Sequence, residues 1–266
     1  MSSLHWHRIT PGYARTYDEY RGGYSAASLV HILQRANIEP QSSAILDLAC
    51  GTGAVTRQLS GASRLLLGMD AAFPMLAQAM QGALGGYLAC ANGEQLPLPP
   101  DSLDLVTIGQ AIHWFNLPGL FSELRRVLRP GGWLAVLSRY PSPAGRLHAL
   151  VERLRYPYTE EGRQGTPQWS TSKAPSNLLG VAEGGQAGFG DYERTVFEHT
   201  MELTVAGYLR GALERGQRHF VSPADQAAFG AALEAELNSI AEDGMLREPF
   251  FDYVFMTRKK EKQYET

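Results

Sequence analysis

Cysteine is scarce in this sequence, and long apolar runs are missing. Cys50 and Cys90 are the only cysteines among 266 residues, and so sparse a pair does not form a disulfide framework. We therefore expect two free thiols. The first residues, MSSLHWHRITPGY, lack the apolar stretch of a signal peptide, and runs such as RLLLGM are too short to cross a bilayer. The sequence predicts a soluble, cytoplasmic protein with no membrane partner.

A concentration of charge of one sign is missing as well. The 24 basic and 27 acidic side chains leave a net charge of −3, and the basic ones are scattered apart from RKKEK, which we interpret as a solvated end. No basic face for nucleic acid is visible, so we expect no nucleic-acid partner. His5 and His7 are isolated and no Cys/His cluster has ligand spacing, so we expect no metal site.

The part of the chain between residues 44 and 138 alternates short apolar runs with longer amphipathic ones. This alternation is typical of a parallel sheet wound with helices. We predict strands at 44–48, 64–69, 86–91, 103–109 and 133–138, and helices at 54–60, 74–81 and 119–128. A hydrophobic share of 44% over 266 residues suits one large domain or a core domain with a cap.

The alternation ends after residue 140, which divides the chain into three parts. Residues 1–140 are predicted to hold N-terminal helices and the α/β core. Residues 141–191 contain one helix-like stretch, RLHALVERLRY, followed by a glycine-rich, polar segment that is predicted to be a lid or a disordered loop. Residues 192–266 are predicted to complete the same domain with strands at 192–204 and 250–260 and helices at 205–215 and 223–242.

The stretch ILDLACGTG carries the main functional signal. An apolar strand ends at an acid, Asp47, and the chain then turns through Gly51 and Gly53, which is how a backbone approaches a ligand closely. A dinucleotide fingerprint needs a third glycine three positions later, where this chain has Thr56, so the dinucleotide interpretation is weakened. Asp70 ends the next strand, where a carboxylate can accept from both hydroxyls of a ribose. The ligand therefore carries a ribose but need not carry phosphate.

Four segments in this order resemble the class I S-adenosylmethionine-dependent methyltransferases of the small-molecule type. They are ILDLACGTG, GMDAAFPMLAQA, NGEQLPLPPDSLDLVTIGQAIHWF and ELRRVLRPGGWLAVL. Three further stretches most resemble the trans-aconitate methyltransferase-like branch of this family. They are AIHWF at the end of the third segment, the closing YVFMTRKK and the N-terminal YDEYRGGYSAASLVHIL. The resemblance implies a Rossmann-like, three-layer α/β fold with a mostly parallel seven-stranded sheet and an antiparallel last strand.

The resemblance also implies S-adenosyl-L-methionine as the cofactor and assigns residues to it. Ala49, Gly51 and Gly53 would line its methionine part, Asp70 its ribose and Ala71 its adenine. Ala49 replaces the usual first glycine, which the turn tolerates if φ is negative there. Tyr17 and Arg21 would lie near the cofactor carboxylate, although Tyr17 could instead be an ordinary packing residue. Asn92 and Gly93 would lie near the adenine amino group. Asp47 and Gln110 complete the residues assigned to the cofactor.

Substrate contacts are expected from Tyr24, His113, Trp114 and Trp169. His113 is the candidate general base, but His113 and Trp114 can equally shape the pocket without proton transfer. Trp169 lies in the central segment and could form an aromatic roof with Tyr156 and Tyr158. Methyl transfer depends mainly on holding donor and nucleophile together, and a carboxylate acceptor would need no base.

These observations predict a methyltransferase acting on a small organic molecule, a metabolite or an intermediate of secondary metabolism. A protein that binds the cofactor without methylating, either as an enzyme of another kind or as a regulator, is the alternative because fold does not fix function. A nicotinamide oxidoreductase is a weaker third candidate. The substrate, the accepting atom and the oligomeric state stay open.

Overall fold

The computed structural model describes residues 9–142, 145–163, 188–216 and 220–261. Over these residues the chain forms one seven-stranded sheet with helices on both faces. The strands are β1 (Ala44–Leu48), β2 (Leu65–Asp70), β3 (Tyr87–Cys90), β4 (Leu103–Gly109), β5 (Leu128–Pro141), β6 (Glu193–Thr204) and β7 (Met245–Arg258). The helices are α1 (Pro11–Arg21), α2 (Ala26–Arg35), α3 (Ala54–Gln58), α4 (Phe73–Ala79), α5 (Leu117–Val127), α6 (Arg146–Arg155), α7 (Glu160–Arg163), α8 (Val205–Gly216) and α9 (Pro223–Ile240).

The strand order across the sheet is β3-β2-β1-β4-β5-β7-β6. The first five strands pair in parallel, whereas β7 pairs antiparallel with both β5 and β6. The last strand is therefore the antiparallel one, as the sequence predicts. The chain reverses its direction of winding at β1 and β4, so their carboxyl ends form the crevice in which open α/β sheets bind ligands.

Both faces of the central strands are covered by helices, which explains why the sequences of these strands are continuous apolar runs. In β1, Ile45 packs with α2 and α3 on one face, while Leu46 packs with α5 on the other. In β4, Leu105 packs on the same face as Ile45 and Val106 on the same face as Leu46, because successive strand residues point to opposite faces. The three-layer arrangement follows from this alternation.

A helical cap lies beside the sheet. Helices α6, α8 and α9 bury a third apolar cluster, which includes Leu147, Tyr208, Phe229 and Leu233 together with Leu246 of β7. No helix among the described residues combines the length and apolar composition of a bilayer span.

The predicted helix at 119–128 and strand at 133–138, which leave RPGG as the connection between them, need a correction. Helix α5 ends at Val127, and Arg129–Gly132 lies inside β5, which starts at Leu128. The register of β5 against β4 shifts between Leu103 and Leu105, so the extra residues form a bulge instead of a connection between helix and strand. Gly131 permits this because its φ is +77°.

Candidate active site

The turn after β1 is held to the end of β2 by Asp70. The Asp70 carboxylate accepts the backbone N–H of Gly51 at 2.8 Å on one oxygen and that of Ala72 at 2.8 Å on the other. Burial raises the pKa of Asp70, and these N–H groups act against the rise. A carboxylate has about four lone-pair sites, so each oxygen can still accept a further hydrogen bond. Asp70 therefore fixes the turn and can still take a ligand hydroxyl.

The two glycines of the turn have the left-handed backbone conformation that favours glycine. The φ angle is +58° at Gly51 and +82° at Gly53. A Cβ on Gly53 would lie 2.6 Å from the end of the Leu84 side chain, so a larger residue would also displace that side chain. Ala49 has φ +54°, so the condition of a negative φ, under which the turn would tolerate alanine without strain, is not met. A non-glycine residue in this region is strained, and such strain is concentrated at ligand sites.

Asp47 is a buried anchor beneath the turn. Its oxygens accept the hydroxyls of Thr56 at 2.6 Å and Thr107 at 3.0 Å, and only 1% of the residue is exposed. Burial raises its pKa to about 6, against the lowering effect of both hydroxyls. Thr56 occupies the position where a dinucleotide fingerprint needs glycine, and here its hydroxyl ties α3 to β1.

Seven of the predicted site residues line one cleft of about 450 Å³ above the carboxyl ends of β1 and β4. They are Tyr17, Arg21, Tyr24, Asp47, Ala49, Gly51 and Gln110. Arg139 near the end of β5 also lines the cleft, and the sequence reasoning missed it. The rule that ligands bind at carboxyl ends of parallel strands would have drawn attention to it.

The connection between α1 and α2 forms one wall of this cleft. Arg139 donates to the carbonyls of Arg21 and Gly23, while the Gln58 amide pairs with both backbone groups of Tyr24, at 2.9 Å and 2.7 Å. The Tyr24 hydroxyl donates to the Leu137 carbonyl at 3.3 Å, and burial raises its pKa. The wall is therefore fixed by side chains from α3 and β5.

Three further predicted residues lie beside Asp70, outside the lining of the cleft. Ala71 follows β2 directly, and Asn92 and Gly93 follow β3. Asn92 is exposed, and its side-chain oxygen accepts the Glu94 N–H at 3.1 Å. A Cβ on Gly93 would lie 2.5 Å from the Phe115 ring, so this glycine lets the loop pack on the segment after β4.

His113 and Trp114 lie in a short 3₁₀ turn after β4, also outside the lining of the cleft. Both residues are exposed, and their ring centroids are 4.8 Å apart. Burial of part of the ring and the charge of Arg21 lower the pKa of His113. Trp169 lies outside the described residues. Tyr158 packs against the core of the cap, and across the described ranges no three potential metal ligands cluster.

Comparison of the architecture with solved structures shows which fold the chain has. A putative type II methyltransferase from Anaeromyxobacter dehalogenans has the same fold, with a TM-score of 0.60 at 22% identity, covering 91% of this chain and 99% of that one. Phosphoethanolamine N-methyltransferase 2 of Haemonchus contortus aligns with a TM-score of 0.51 at 18% identity, covering 95% of this chain and 58% of that one. The fold is the Rossmann-like fold of the class I methyltransferases.

The sequence comparison gives the domain family. Residues 46–136 match the family described as a methyltransferase domain. A malonyl-[acyl-carrier protein] O-methyltransferase from Methylovorus sp. strain MP688 is 34% identical over 160 residues, which is 52% of this chain and 53% of that protein. The chain spans about half the length of the curated relatives it matches.

Proposed function

We propose that this chain is an S-adenosylmethionine-dependent methyltransferase that acts on a small organic molecule. The observation that carries the proposal is the glycine turn of β1, which Asp70 ties to the end of β2 at the edge of a cleft. The matched methyltransferase domain covers this turn and the carboxyl ends of β1 through β4. The Haemonchus contortus enzyme, whose fold is similar, has a structure in complex with S-adenosylhomocysteine.

The residues at the turn fit the cofactor in shape and in chemistry. Gly51 has positive φ and no Cβ, so its backbone can approach a ligand closely. Asp70 keeps acceptor capacity for the ribose hydroxyls, while Ala71, Asn92 and Gly93 follow the neighbouring strands and would hold the adenine. Tyr17 and Arg21 would hold the amino acid part, because the guanidinium can pair with its carboxylate.

The chain's contribution to the reaction would be mainly positioning. The bound cofactor supplies a methyl group on a positively charged sulfur. Tyr24 in the wall of the cleft would help to hold the acceptor in line with that methyl group, and such positioning is worth about 7–11 kcal/mol. His113 has a lowered pKa, so its ring is neutral at pH 7 and able to accept a proton or a hydrogen bond.

The finer assignments rest on separate observations. The AIHWF motif after β4 and the closing YVFMTRKK support the trans-aconitate methyltransferase-like branch. The Methylovorus relative is named an O-methyltransferase, which favours oxygen as the accepting atom. Cys50 and Cys90 are free thiols, which supports a reducing compartment, the cytoplasm, as the location.

The test is direct binding followed by transfer. Calorimetry should show that S-adenosylmethionine and S-adenosylhomocysteine bind to the protein and that NADH does not. A metabolite extract incubated with trideuteromethyl-labelled cofactor should yield a labelled product that requires the protein. Retention of NADH without binding of S-adenosylhomocysteine would contradict the proposal, and cofactor binding without any transfer would favour the non-methylating enzyme or the regulatory binding protein.

A further inference from the structure

A buried carboxylate in β7 lies behind the cleft wall. Asp252 is fully buried, and the strand registers place it opposite Arg139 of β5 and Phe197 of β6. Because directly paired residues of neighbouring strands point to the same face of a sheet, these three side chains share one face. It is the face that α2 covers, since Val254, two residues further along β7, packs in the apolar cluster of α2. A buried charge needs hydrogen-bond donors, so the donors that reach Asp252 decide what this side chain does.

The two oxygens of Asp252 have different partners. Oδ2 accepts the Ser25 N–H at 2.7 Å and the Ser28 hydroxyl at 2.9 Å, both at the start of α2. Oδ1 accepts from His199 Nε2 of β6 at 3.1 Å and has no other hydrogen-bond donor in the described part of the chain. Ser25 directly follows Tyr24, which lines the cleft. Asp252 therefore joins β6, at the edge of the sheet, to the cleft wall.

The His199 ring supplies its donor from an enclosed place. A carboxylate only accepts hydrogen bonds, so Nε2 must carry the hydrogen, whichever charge the ring has. The His199 side chain is 17% exposed, so the surrounding protein limits its movement. His199 is thus the side chain through which β6 acts on Asp252.

Arg139 is the alternative donor for Oδ1 if His199 is removed. It is the strand neighbour of Asp252, and its guanidinium donates to the carbonyls of Arg21 and Gly23. Burial lowers the pKa of Arg139, and the negative charge of Asp252 acts against this fall. A carboxylate attracts a guanidinium more strongly than a neutral carbonyl does. An unsatisfied Oδ1 would therefore draw Arg139 away from the connection between α1 and α2.

We propose that His199 is a positioning residue of the cofactor cleft. By donating to Oδ1 it keeps the Asp252 carboxylate on the start of α2 and leaves Arg139 on the connection between α1 and α2. Arg21 and Tyr24 then keep their places in the cleft wall. The His199 ring does not line the cleft, so it acts through Asp252 and not by touching a ligand. The proposal rests on the proposed function for the ligand that this wall contacts.

Three variants test this role. His199→Leu removes the donor, whereas His199→Gln keeps one because the amide nitrogen of glutamine has a reach similar to that of Nε2. His31→Leu is the matched control, since His31 lies in the same interface between α2 and β6 but pairs with Thr195, at 3.3 Å. Two quantities are measured: hydrogen exchange of the amides of residues 22–28 in the free protein, and the affinity for S-adenosylhomocysteine by calorimetry.

In His199→Leu we expect exchange at residues 22–28 to be at least about tenfold faster and the affinity for S-adenosylhomocysteine to be about tenfold lower. His199→Gln should restore both to within about threefold of the wild type, and His31→Leu should change neither by more than about twofold. A purely structural role would lower the free energy of unfolding of His199→Leu without these local changes. If His199→Leu does not fold, His199→Asn replaces it, because the shorter amide does not reach Oδ1.

Three outcomes would each overturn the role of His199: wild-type exchange and affinity in His199→Leu, equal losses in His199→Leu and His199→Gln, or an equal loss in His31→Leu. Exchange in the free protein keeps the two proposals distinguishable. Failure of S-adenosylhomocysteine to bind the wild type contradicts the proposed function, whereas the exchange at residues 22–28 still decides whether His199 positions the wall.

Discussion

Two carboxylates near the glycine turn have different partners and therefore different roles. Asp70 binds backbone N–H groups at the edge of the cleft, and its oxygens keep acceptor capacity for a ligand. Asp47 lies deeper and binds two threonine hydroxyls. We infer that Asp70 contributes to affinity for the cofactor, while Asp47 holds β1, α3 and β4 together.

The role of Asp70 predicts a specific loss in Asp70→Asn. The amide nitrogen cannot accept, so one of the bonds from Gly51, Ala72 or the ribose must be lost. The affinity for S-adenosylhomocysteine should fall by more than about tenfold, which corresponds to about 1.4 kcal/mol. Calorimetry measures the change, and Asp191→Asn at an exposed position is the control. Equal affinities in the folded variant and the wild type would remove Asp70 from the cofactor site.

Asp47 predicts a pH dependence of stability. Its pKa of about 6 in the folded protein lies above the ordinary 3.8, so its contribution is fully present below pH 3.8 and is lost as the pH rises through 6. Two pKa units correspond to about 3 kcal/mol. The free energy of unfolding of the wild type, relative to Asp47→Asn, should fall by about this amount between about pH 4 and about pH 7. Denaturant titrations at several pH values measure the difference, and a constant difference would contradict the buried carboxyl.

The variant His113→Gln distinguishes a proton-transfer role of His113 from a packing role. We expect His113→Gln to raise KM for the acceptor while kcat stays within about tenfold, because the ring is exposed and contacts Trp114. The pH profile should then match that of the wild type. A general base would instead give a fall in kcat of roughly 10²–10⁴-fold and loss of a limb with an apparent pKa below 6.5. Steady-state kinetics of both proteins across pH distinguish the two outcomes.

At the scale of elements, the link between α1 and α2 depends on contacts from distant parts of the chain. Arg139 of β5 donates to two carbonyls of this link, and Asp252 of β7 accepts the Ser25 N–H at 2.7 Å and the Ser28 hydroxyl at 2.9 Å. Asp252 is fully buried and also contacts the His199 ring at 3.1 Å. The sheet therefore positions Arg21 and Tyr24 beside the glycine turn.

Arg139→Met tests this arrangement. The methionine fills similar space without donors, so the carbonyls of Arg21 and Gly23 lose their charged partner. We expect faster hydrogen exchange of the amides of residues 22–25 in the free protein and an affinity for S-adenosylhomocysteine lower by about tenfold. Arg247→Met, on the exposed part of β7, is the matched control. Unchanged hydrogen exchange at residues 22–25 would show that the contacts of Gln58 and Asp252 are enough to fix the link between α1 and α2 without Arg139.

At the scale of the whole molecule, the described chain has separate apolar clusters for the sheet and for the cap. Leu105 lies in the sheet cluster and Leu233 in the cap cluster, and both are fully buried. The cap cluster involves α6, α8 and α9 together with Leu246 of β7. The cofactor turn belongs to the sheet, so damage to the cap should leave cofactor binding nearly unchanged.

Leu233→Ala and Leu105→Ala form a matched pair for this division. Each removes the same buried atoms and should lower the free energy of unfolding by about 2–5 kcal/mol. In Leu233→Ala we expect faster hydrogen exchange in α6, α8 and α9, with affinity for S-adenosylhomocysteine within about twofold of the wild type. In Leu105→Ala the faster exchange should appear in β1 and β4. A uniform rise across both regions in either variant would show that the clusters unfold as one unit.

The sequence by itself determined the parallel strands, the antiparallel last strand and the glycine turn. The parallel strands and the turn depend on local signals, namely continuous apolar runs on strands buried on both faces, and Gly51 and Gly53 where φ must be positive. The antiparallel last strand follows from the family resemblance that the ordered motifs carry. The ordered motifs also identified Asp70, whose place at the end of β2 follows from the strand itself.

Only the tertiary structure decided the conformation of Ala49, the bulge in β5 and the role of Arg139. Ala49 holds a positive φ because the surrounding turn outweighs its own preference. Arg139 depends on contacts with the carbonyls of Arg21 and Gly23, across more than 100 residues of chain. No local pattern encodes such a contact, because it exists only after the sheet has formed and brought the end of β5 beside the link between α1 and α2.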